Sequence, residues 1–305
     1  MALDRSSARN QCVIEPVKHM TWQTTRFQIN LRSPKVMGIV NVTPDSFSDG
    51  GQNGSTVAAL RHCEQLILDG VDILDIGGES TRPGAPPLSL EEELARVVPV
   101  VNEAVHLGVA VSVDTYKPQV MQAVLDLGAD IINDIWALRW QDGTNHPSAS
   151  QVIAAHPRCG VCLMHMHQEP QTMQVQPMLG DVVPQVLSFL ERSALDLCGL
   201  GVEKSRILLD PGIGFGKTVA QNFSLLARQT ELLAAGYPLL LGWSRKSSLA
   251  GMGASSGSGG ALSAQQRLAP SLAAAMLAVQ RGAAVVRVHD VKETVQVLRV
   301  LDAAR

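Results

Sequence analysis

Polar side chains that could bind a small molecule directly follow several short apolar runs of this chain. One group offers hydrogen-bond acceptors, which suit the amino and imino donors on the edge of a planar heterocycle. Another offers cationic or donor groups, which suit oxyanions such as phosphate. The acceptors are Asp114, Asn133 and Asp210, and the cationic or donor groups are Lys246, Arg287 and His289. A pocket lined by both groups would fit a guanine-like or pterin-like ring that carries a phosphate ester.

The segment after the first apolar run offers oxygen ligands for a hard cation. It contains Asn41, Asp45 and Asp49. Because Mg²⁺ takes one or two protein oxygens together with substrate phosphates, these three side chains are candidate Mg²⁺ ligands. Carboxylates in such a segment are also typical of solvent-facing turns, and the sequence alone leaves both interpretations open.

The apolar runs themselves predict strands that are buried on both faces, because they are rich in Val, Ile and Leu and alternate little. The runs are Val36–Val40, Asp72–Ile76, Val109–Val113, Asp130–Ile132, Val161–Met164, Ile207–Leu209, Leu239–Leu241 and Val285–Val288. Segments with helical periodicity separate them. The predicted helices include Thr56–Asp69, Leu90–Leu107, Asp181–Cys198, Gln221–Ala235 and Pro270–Arg281. Ser89 and Glu92 form a capping-box pattern at the start of the second.

Eight such β-α units in about 250 residues are typical of an α/β fold, the (β/α)8 TIM barrel. A doubly wound sheet is the alternative, but it needs a Gly-rich turn after its first strand, where this chain has Asn41-Val42-Thr43-Pro44. A barrel brings all eight carboxyl ends to one face, so the polar groups above would converge on one pocket. We predict a single barrel domain over residues 31–305, preceded by an N-terminal extension over residues 1–30.

Composition excludes several classes of function. The net charge is -3 and the aromatic residues are only five Phe, four Trp and two Tyr, so nucleic acid is not expected as a partner. The longest apolar window, Ser271–Val286, is too short and carries Arg281, so no membrane span is expected. Without a signal-peptide pattern, and with an odd number of cysteines, five, the chain is expected to be cytoplasmic and its thiols reduced.

Two local patterns resemble functional motifs but are interpreted otherwise. Gly212–Thr218 ends like a phosphate-binding P-loop, yet Pro211 stands where that motif requires its first glycine. Cys159 and Cys162 have redox spacing, but their position at a strand entrance favours buried, inert thiols.

Two long motifs resemble the signatures of the dihydropteroate synthases. These are Asn41-Val42-Thr43-Pro44-Asp45-Ser46-Phe47-Ser48-Asp49-Gly50-Gly51 and Asp75-Ile76-Gly77-Gly78-Glu79-Ser80-Thr81-Arg82-Pro83-Gly84. The resemblance continues through Ser112–Lys117, Ile132–Asp134, Asp210–Thr218, Ser244–Ser247 and Arg287–Asp290, and covers about residues 36–303. It implies a TIM barrel and the condensation of 6-hydroxymethyl-7,8-dihydropterin pyrophosphate with 4-aminobenzoate, in folate biosynthesis.

The resemblance also implies roles for individual residues. The pterin would be held by Asp114, Asn133, Asp210, Lys246 and Arg287, and the pyrophosphate by Asn41, Thr81, Arg287 and His289. The aminobenzoate would contact Phe47, Pro83, Phe215 and Ser247, under loops that close over the site. Catalysis would depend on Asp45, Asp49, Asp114, Asp210 and Lys246, with Mg²⁺ as cofactor and Asn41 as its ligand. The resemblance further implies a homodimer and inhibition by sulfonamides.

Two other functions remain open at this stage. A barrel that binds pterin without catalysis is one, although such a relative would be expected to lose Asn41, Asp45 or the Lys246 region, and all three are present. A pterin-dependent methyltransferase is the other, but it would have little use for Phe47 and the paired aspartates of the first loop.

Overall fold

Eight parallel strands form a closed barrel in the computed structural model, which confirms the predicted (β/α)8 fold. The structure describes residues 21–42, 51–80, 87–141, 143, 146–169, 172–173, 175–253 and 261–304. The barrel strands are β3 (Lys35–Asn41), β4 (Ile73–Gly77), β5 (Ala110–Asp114), β6 (Ile131–Asp134), β7 (Gly160–Met164), β8 (Ile207–Asp210), β9 (Leu239–Leu241) and β10 (Ala283–Val288). Closure is completed by β10, which pairs with both β9 and β3.

Helices follow the strands around the outside of the barrel. They are α1 (Gly51–Leu68), α2 (Leu90–Ala104), α3 (Pro118–Asp126), α4 (Ala149–Ala155), α5 (Val182–Gly199), α6 (Val219–Ala227), α7 (Gln229–Leu232), α8 (Leu268–Gln280) and α9 (Val291–Ala303). The predicted capping box at Ser89 and Glu92 is formed and begins α2. The largest apolar cluster lies between these helices and the outer faces of the strands.

One predicted helix is wrong in extent. Gln221–Ala235 is divided into α6, α7 and a short 3₁₀ turn at Leu233–Ala235. The break is at Arg228, where the backbone leaves the helical region (φ -107°, ψ 20°). Its guanidinium binds Asp181 and Glu231, which holds this corner against the start of α5.

The amino-terminal end of the barrel is covered by a hairpin of β1 (Thr21–Gln23) and β2 (Gln28–Asn30). Trp22 is fully buried there, and its indole N–H donates to the carbonyl oxygen of Arg206 at 2.9 Å. Part of the predicted N-terminal extension therefore packs on the barrel, and the domain boundary at residue 30 stays a prediction.

None of the helices in the described ranges combines the length and the apolar character needed to span a membrane.

Candidate active site

Polar residues of four strands, three of them predicted from the sequence, meet inside the carboxyl end of the barrel. Arg287 on β10 is the centre of this group, and its Nη2 donates to Asp114 Oδ2 on β5 at 2.7 Å. Its Nε donates to Asp75 Oδ2 on β4, and Asn133 Nδ2 on β6 donates to the same oxygen at 3.2 Å. Residues widely separated in sequence thus form one hydrogen-bonded cluster.

Strand register explains why these side chains meet. In the parallel ladder Gly77 is paired with Asp114, and Asp114 with Asn133, so all three occupy one level of the barrel. Gly77 has no side chain of its own, and a Cβ there would be in ordinary van der Waals contact with Asp114 Cβ, at 3.4 Å. Asp75 and Ser112 are paired one level deeper.

A second charged group is formed by Asp210, the last residue of β8, and Lys246, in the segment after β9. Asp210 Oδ1 accepts a hydrogen bond from the backbone N–H of Gly212 at 2.7 Å. The ammonium of Lys246 lies 4.3 Å from the centroid of the Phe215 ring, a cation–π contact. A pterin-binding residue and an aminobenzoate-binding residue of the sequence prediction are therefore neighbours.

Burial and mutual charge shift the pKa values of this cluster. Burial raises the pKa of Asp114 to about 7, although the Arg287 guanidinium opposes the shift. Burial also raises the pKa of Asp210, against its hydrogen bond from Gly212. Burial lowers the pKa of Lys246 to about 8, and Arg287 adds to the shift while Asp210 and Asp114 oppose it. Such paired shifts in one cavity are typical of active sites.

His289 is neutral rather than cationic. Its Nδ1 lies 3.0 Å from Ser244 Oγ, which also accepts the backbone N–H of His289. Burial, together with Arg287, lowers the pKa of His289 to about 3. Because the ring bonds to Ser244 through Nδ1, Nε2 is its second hydrogen-bonding atom.

The turn after β8 has the form of a rigid loop, not of a P-loop. Gly212 has a φ of +68°, and a Cβ at this position would lie 1.9 Å from the carbonyl oxygen of His165. Lys217 is buried and donates to the carbonyl oxygens of Gly212 and Phe215, so its ammonium is used within the protein. This internal bonding fixes the turn that carries Phe215.

Other sequence predictions have mixed outcomes. Asn41 is the last residue of β3, half-buried and paired with Gly77. Ser247 is exposed at the start of the 3₁₀ segment Ser247–Gly253. Cys159 and Cys162 are buried, and burial raises the pKa of both thiols, as expected of inert cysteines. The predicted residues that lie outside the described ranges are Asp45, Phe47, Asp49, Thr81 and Pro83.

Two parts of the site were missed from the sequence. Asp75 lies in the second signature motif, but the sequence analysis gives it no role. Its position inside the apolar run Ile73–Gly77 could have indicated a functional residue, since a buried carboxylate needs hydrogen-bond partners. The second is the ion pairing of Lys117 with two carboxylates, the half-buried Glu79 and the buried Glu93. No spacing in the sequence indicated that second group.

Comparison with known proteins identifies the family. The model of the family described as "Pterin binding enzyme" matches residues 37–289. Dihydropteroate synthase of Neisseria meningitidis serogroup B is 47% identical over 289 residues, which cover 92% of this chain and 96% of the relative.

Two solved structures agree with this family assignment. A Burkholderia cenocepacia dihydropteroate synthase complexed with 7,8-dihydropteroate is 46% identical with a TM-score of 0.80, over 93% of this chain and 96% of that one. A Yersinia pestis dihydropteroate synthase with a sulfonamide drug is 41% identical with a TM-score of 0.84, over 94% and 99% of the two chains. The fold, the pocket and these similarities lead to one conclusion: the chain belongs to the pterin-binding enzymes, as a member of the dihydropteroate synthase family.

Proposed function

We propose that this protein condenses 6-hydroxymethyl-7,8-dihydropterin pyrophosphate with 4-aminobenzoate to give 7,8-dihydropteroate and pyrophosphate, in folate biosynthesis. The observation that carries the proposal is the cluster of Asp114, Asn133 and Arg287, with Lys246 and Asp210, at the carboxyl end of the barrel. In TIM-barrel enzymes this face carries the active site. The identity to dihydropteroate synthases supports the synthase over a methyltransferase.

The pterin ring is bound by the acceptors and by Lys246. Asp114, Asp210 and the amide oxygen of Asn133 accept hydrogen bonds from the amino and imino groups of the ring, and Lys246 donates to its acceptor atoms. Arg287 lies against the face of the ring, since two of its in-plane N–H groups, on Nε and Nη2, already hold the guanidinium to Asp75 and Asp114.

The same carboxylates favour departure of the leaving group. The bond between the pterin methylene carbon and the pyrophosphate oxygen breaks, and the electron pair leaves with pyrophosphate. Positive charge then spreads into the ring, where Asp114 and Asp210 stabilise it more strongly than they stabilise the neutral substrate. The aniline nitrogen bonds to the methylene carbon and loses its proton to solvent. This weakly basic nucleophile needs no strong general base once the cation has formed.

The leaving pyrophosphate is held by donors at the rim of the pocket. Arg287 supplies a cation, His289 a neutral imidazole, and Asn41 an amide; Thr81 remains a predicted contact. In the described ranges no three His, Cys, Asp or Glu side chains lie together as a metal site. A single half-buried amide at the end of β3 does fit Mg²⁺ held mainly by substrate phosphates, so Asn41 would be its ligand from the described chain. When bound, Mg²⁺ offsets the negative charge of pyrophosphate.

The aminobenzoate lies between the turn after β8 and the first two loops. Phe215 lines this position beside Lys246, and Ser247, exposed at the mouth, receives the carboxylate. Phe47 and Pro83 are the predicted contacts from the loops, and Asp45 and Asp49 the predicted catalytic carboxylates there. Sulfonamides, as aminobenzoate mimics, compete for this position. We also propose a cytoplasmic location, as expected from the sequence composition, and a homodimer, in line with the resemblance.

The test is the formation of 7,8-dihydropteroate by the purified protein, detected by mass spectrometry, with each substrate and Mg²⁺ omitted in turn. Product that requires both organic substrates and is lost with Lys246→Ala supports the proposal. A protein that binds the pterin pyrophosphate tightly but forms no product would instead be a non-catalytic pterin-binding barrel.

A further inference from the structure

Asp75 connects two residues of the pterin pocket from below. It is fully buried in the middle of β4, and a single carboxylate oxygen, Oδ2, accepts from both Arg287 Nε and Asn133 Nδ2. The partners lie on β10 and β6, so Asp75 joins opposite parts of the barrel wall. Nothing in the substrate-binding roles above includes this carboxylate.

The bond to Asn133 decides which atom of the amide a ligand meets. Because Nδ2 donates to Asp75 at 3.2 Å, the amide oxygen is the atom presented to the ligand. That orientation suits a ring edge with N–H donors and disfavours one with acceptors.

The bond to Arg287 decides how its guanidinium lies. Asp75 receives Nε and Asp114 receives Nη2, two donors in the plane of the same group. A guanidinium bound at both positions is fixed in rotation, while its flat faces stay free for a ring. Fixing a side chain before the substrate arrives reduces the entropy lost on binding.

The remaining atoms of Asp75 argue against a role in stability alone. Within the described part of the chain, its Oδ1 has no hydrogen-bond partner, and the same holds for Ser112 Oγ, the neighbour of Asp75 in the strand ladder. A buried carboxylate with an unpaired oxygen costs stability, and an apolar residue of similar size is often at least as stable in such a place. A positioning function accounts for the acid at this position.

We propose that Asp75 is a positioning residue that orients both Asn133 and Arg287 for the pterin. This inference rests on the proposed function and deepens it. Asp75 acts through its two partners and does not touch the reacting atoms. Its loss therefore weakens binding of the pterin ring while leaving the aminobenzoate position unchanged.

The experiment compares Asp75→Asn and Asp75→Ala with Asp130→Asn as a matched control. Asp130 is likewise fully buried and paired with an arginine, Arg26, but at the opposite end of the barrel. Binding of 6-hydroxymethylpterin, which lacks the pyrophosphate, is measured by calorimetry, together with kcat and KM for both substrates. We expect the pterin Kd to rise by at least about tenfold in Asp75→Asn and further in Asp75→Ala, with the KM for 4-aminobenzoate within about twofold. Asp130→Asn should lower the melting temperature and leave the pterin Kd unchanged.

Equal pterin Kd values for the wild type and Asp75→Asn, or an equal loss in Asp130→Asn, would overturn the positioning role. If the Asp75 variants do not fold, the positioning role is tested in the wild type by the rate at which the Arg287 Nε–H proton exchanges with solvent. Its ¹⁵N–¹H signal is assigned by its loss in Arg287→Lys. Slow exchange supports the bond to Asp75, and exchange as fast as that of surface arginines overturns it. A wild type that binds no pterin would contradict the proposed function itself, and the positioning role with it.

Discussion

The two ends of this barrel each hold a buried aspartate paired with an arginine, but the two pairs are built differently. At the amino-terminal end both oxygens of Asp130 are used, by Arg26 and by the backbone N–H of Val111. At the carboxyl end Asp75 Oδ1 has no partner among the described residues. The first pair satisfies the hydrogen bonds of Asp130 within the fold. The second leaves one carboxylate oxygen, Asp75 Oδ1, without a hydrogen bond at the floor of the pocket.

The groups that surround the two pairs also differ. Around Asp130 lie the hairpin with Trp22 and the guanidinium of Arg206, which donates to the carbonyl oxygens of Cys159 and Ile153. Around Asp75 lie groups whose pKa values are shifted, with Asp114 at about 7 and Lys246 at about 8. The amino-terminal end is therefore arranged for stability. The carboxyl end buries charged groups at a cost in stability, and these groups serve binding and catalysis.

The largest effect is expected for Lys246→Ala at the carboxyl end. Removal of this ammonium should lower kcat/KM by about 10²-fold or more, because it contributes to binding of the ring and to the charge balance as pyrophosphate leaves. The free energy of unfolding should stay the same or rise, since a buried ammonium with a lowered pKa is itself costly. Steady-state kinetics and urea unfolding of the same preparation measure both. Asp210→Ala should also lose about 10²-fold in rate, and wild-type turnover in either variant would remove these residues from the mechanism.

The opposite outcome is expected for Arg26→Ala at the amino-terminal end. It leaves Asp130 buried without its cation, which should lower the free energy of unfolding by about 3 kcal/mol. The folded fraction should keep kcat/KM within about twofold, because the described partners of Arg26, such as Asp130 and the carbonyl oxygens of Val105 and Val109, lie at the amino-terminal end. A loss of activity larger than the loss of folded protein would show that the two ends are not independent.

The dependence of pterin binding on pH should separate the charges of the pocket. Asp114 must be ionised, so binding should weaken by up to about tenfold per pH unit as the pH falls below its pKa of about 7. Lys246 must be protonated, so binding should weaken again as the pH rises above about 8. Calorimetry between pH 5.5 and 9.5, on the order of one point per half unit, records both limbs. Asp114→Asn should remove the acidic limb and Lys246→Arg should move the alkaline limb upward; unchanged limbs would assign the titrations to other groups.

A smaller effect is expected for Lys217→Met. This substitution removes the hydrogen bonds to Gly212 and Phe215 while keeping most of the side-chain volume. The KM for 4-aminobenzoate should rise by a few-fold to about tenfold, because Phe215 loses its fixed position. The pterin Kd should change less than that. A larger change in pterin Kd than in the aminobenzoate KM would give Lys217 a role in the pterin pocket instead.

The sequence predicted the barrel because its strands are buried on both faces and therefore read as continuous apolar runs. The same feature placed Asp114, Asp210 and Arg287 at strand ends, where the structure has them. The contacts across the barrel could not be predicted from the sequence. Arg287 binds Asp75, which lies 212 positions earlier in the chain, and only closure of the sheet brings the two together. The neutral state of His289 was also not predictable, since it depends on burial and on the charge of Arg287. The hairpin at residues 21–30 was not predicted either, because its two three-residue strands are too short to give a hydrophobic pattern.

Charge development in the pterin ring is the central claim, and positional isotope exchange tests it most directly. The pterin pyrophosphate is prepared with ¹⁸O in the bridge to the methylene carbon and incubated with the enzyme and Mg²⁺ without 4-aminobenzoate. If pyrophosphate departs before the aniline attacks, its oxygens become equivalent while it remains bound, and recovered substrate carries ¹⁸O outside the bridge. Substrate recovered with all its label in the bridge, from an enzyme that forms dihydropteroate at full rate when the aniline is added, would contradict the account and favour a concerted displacement.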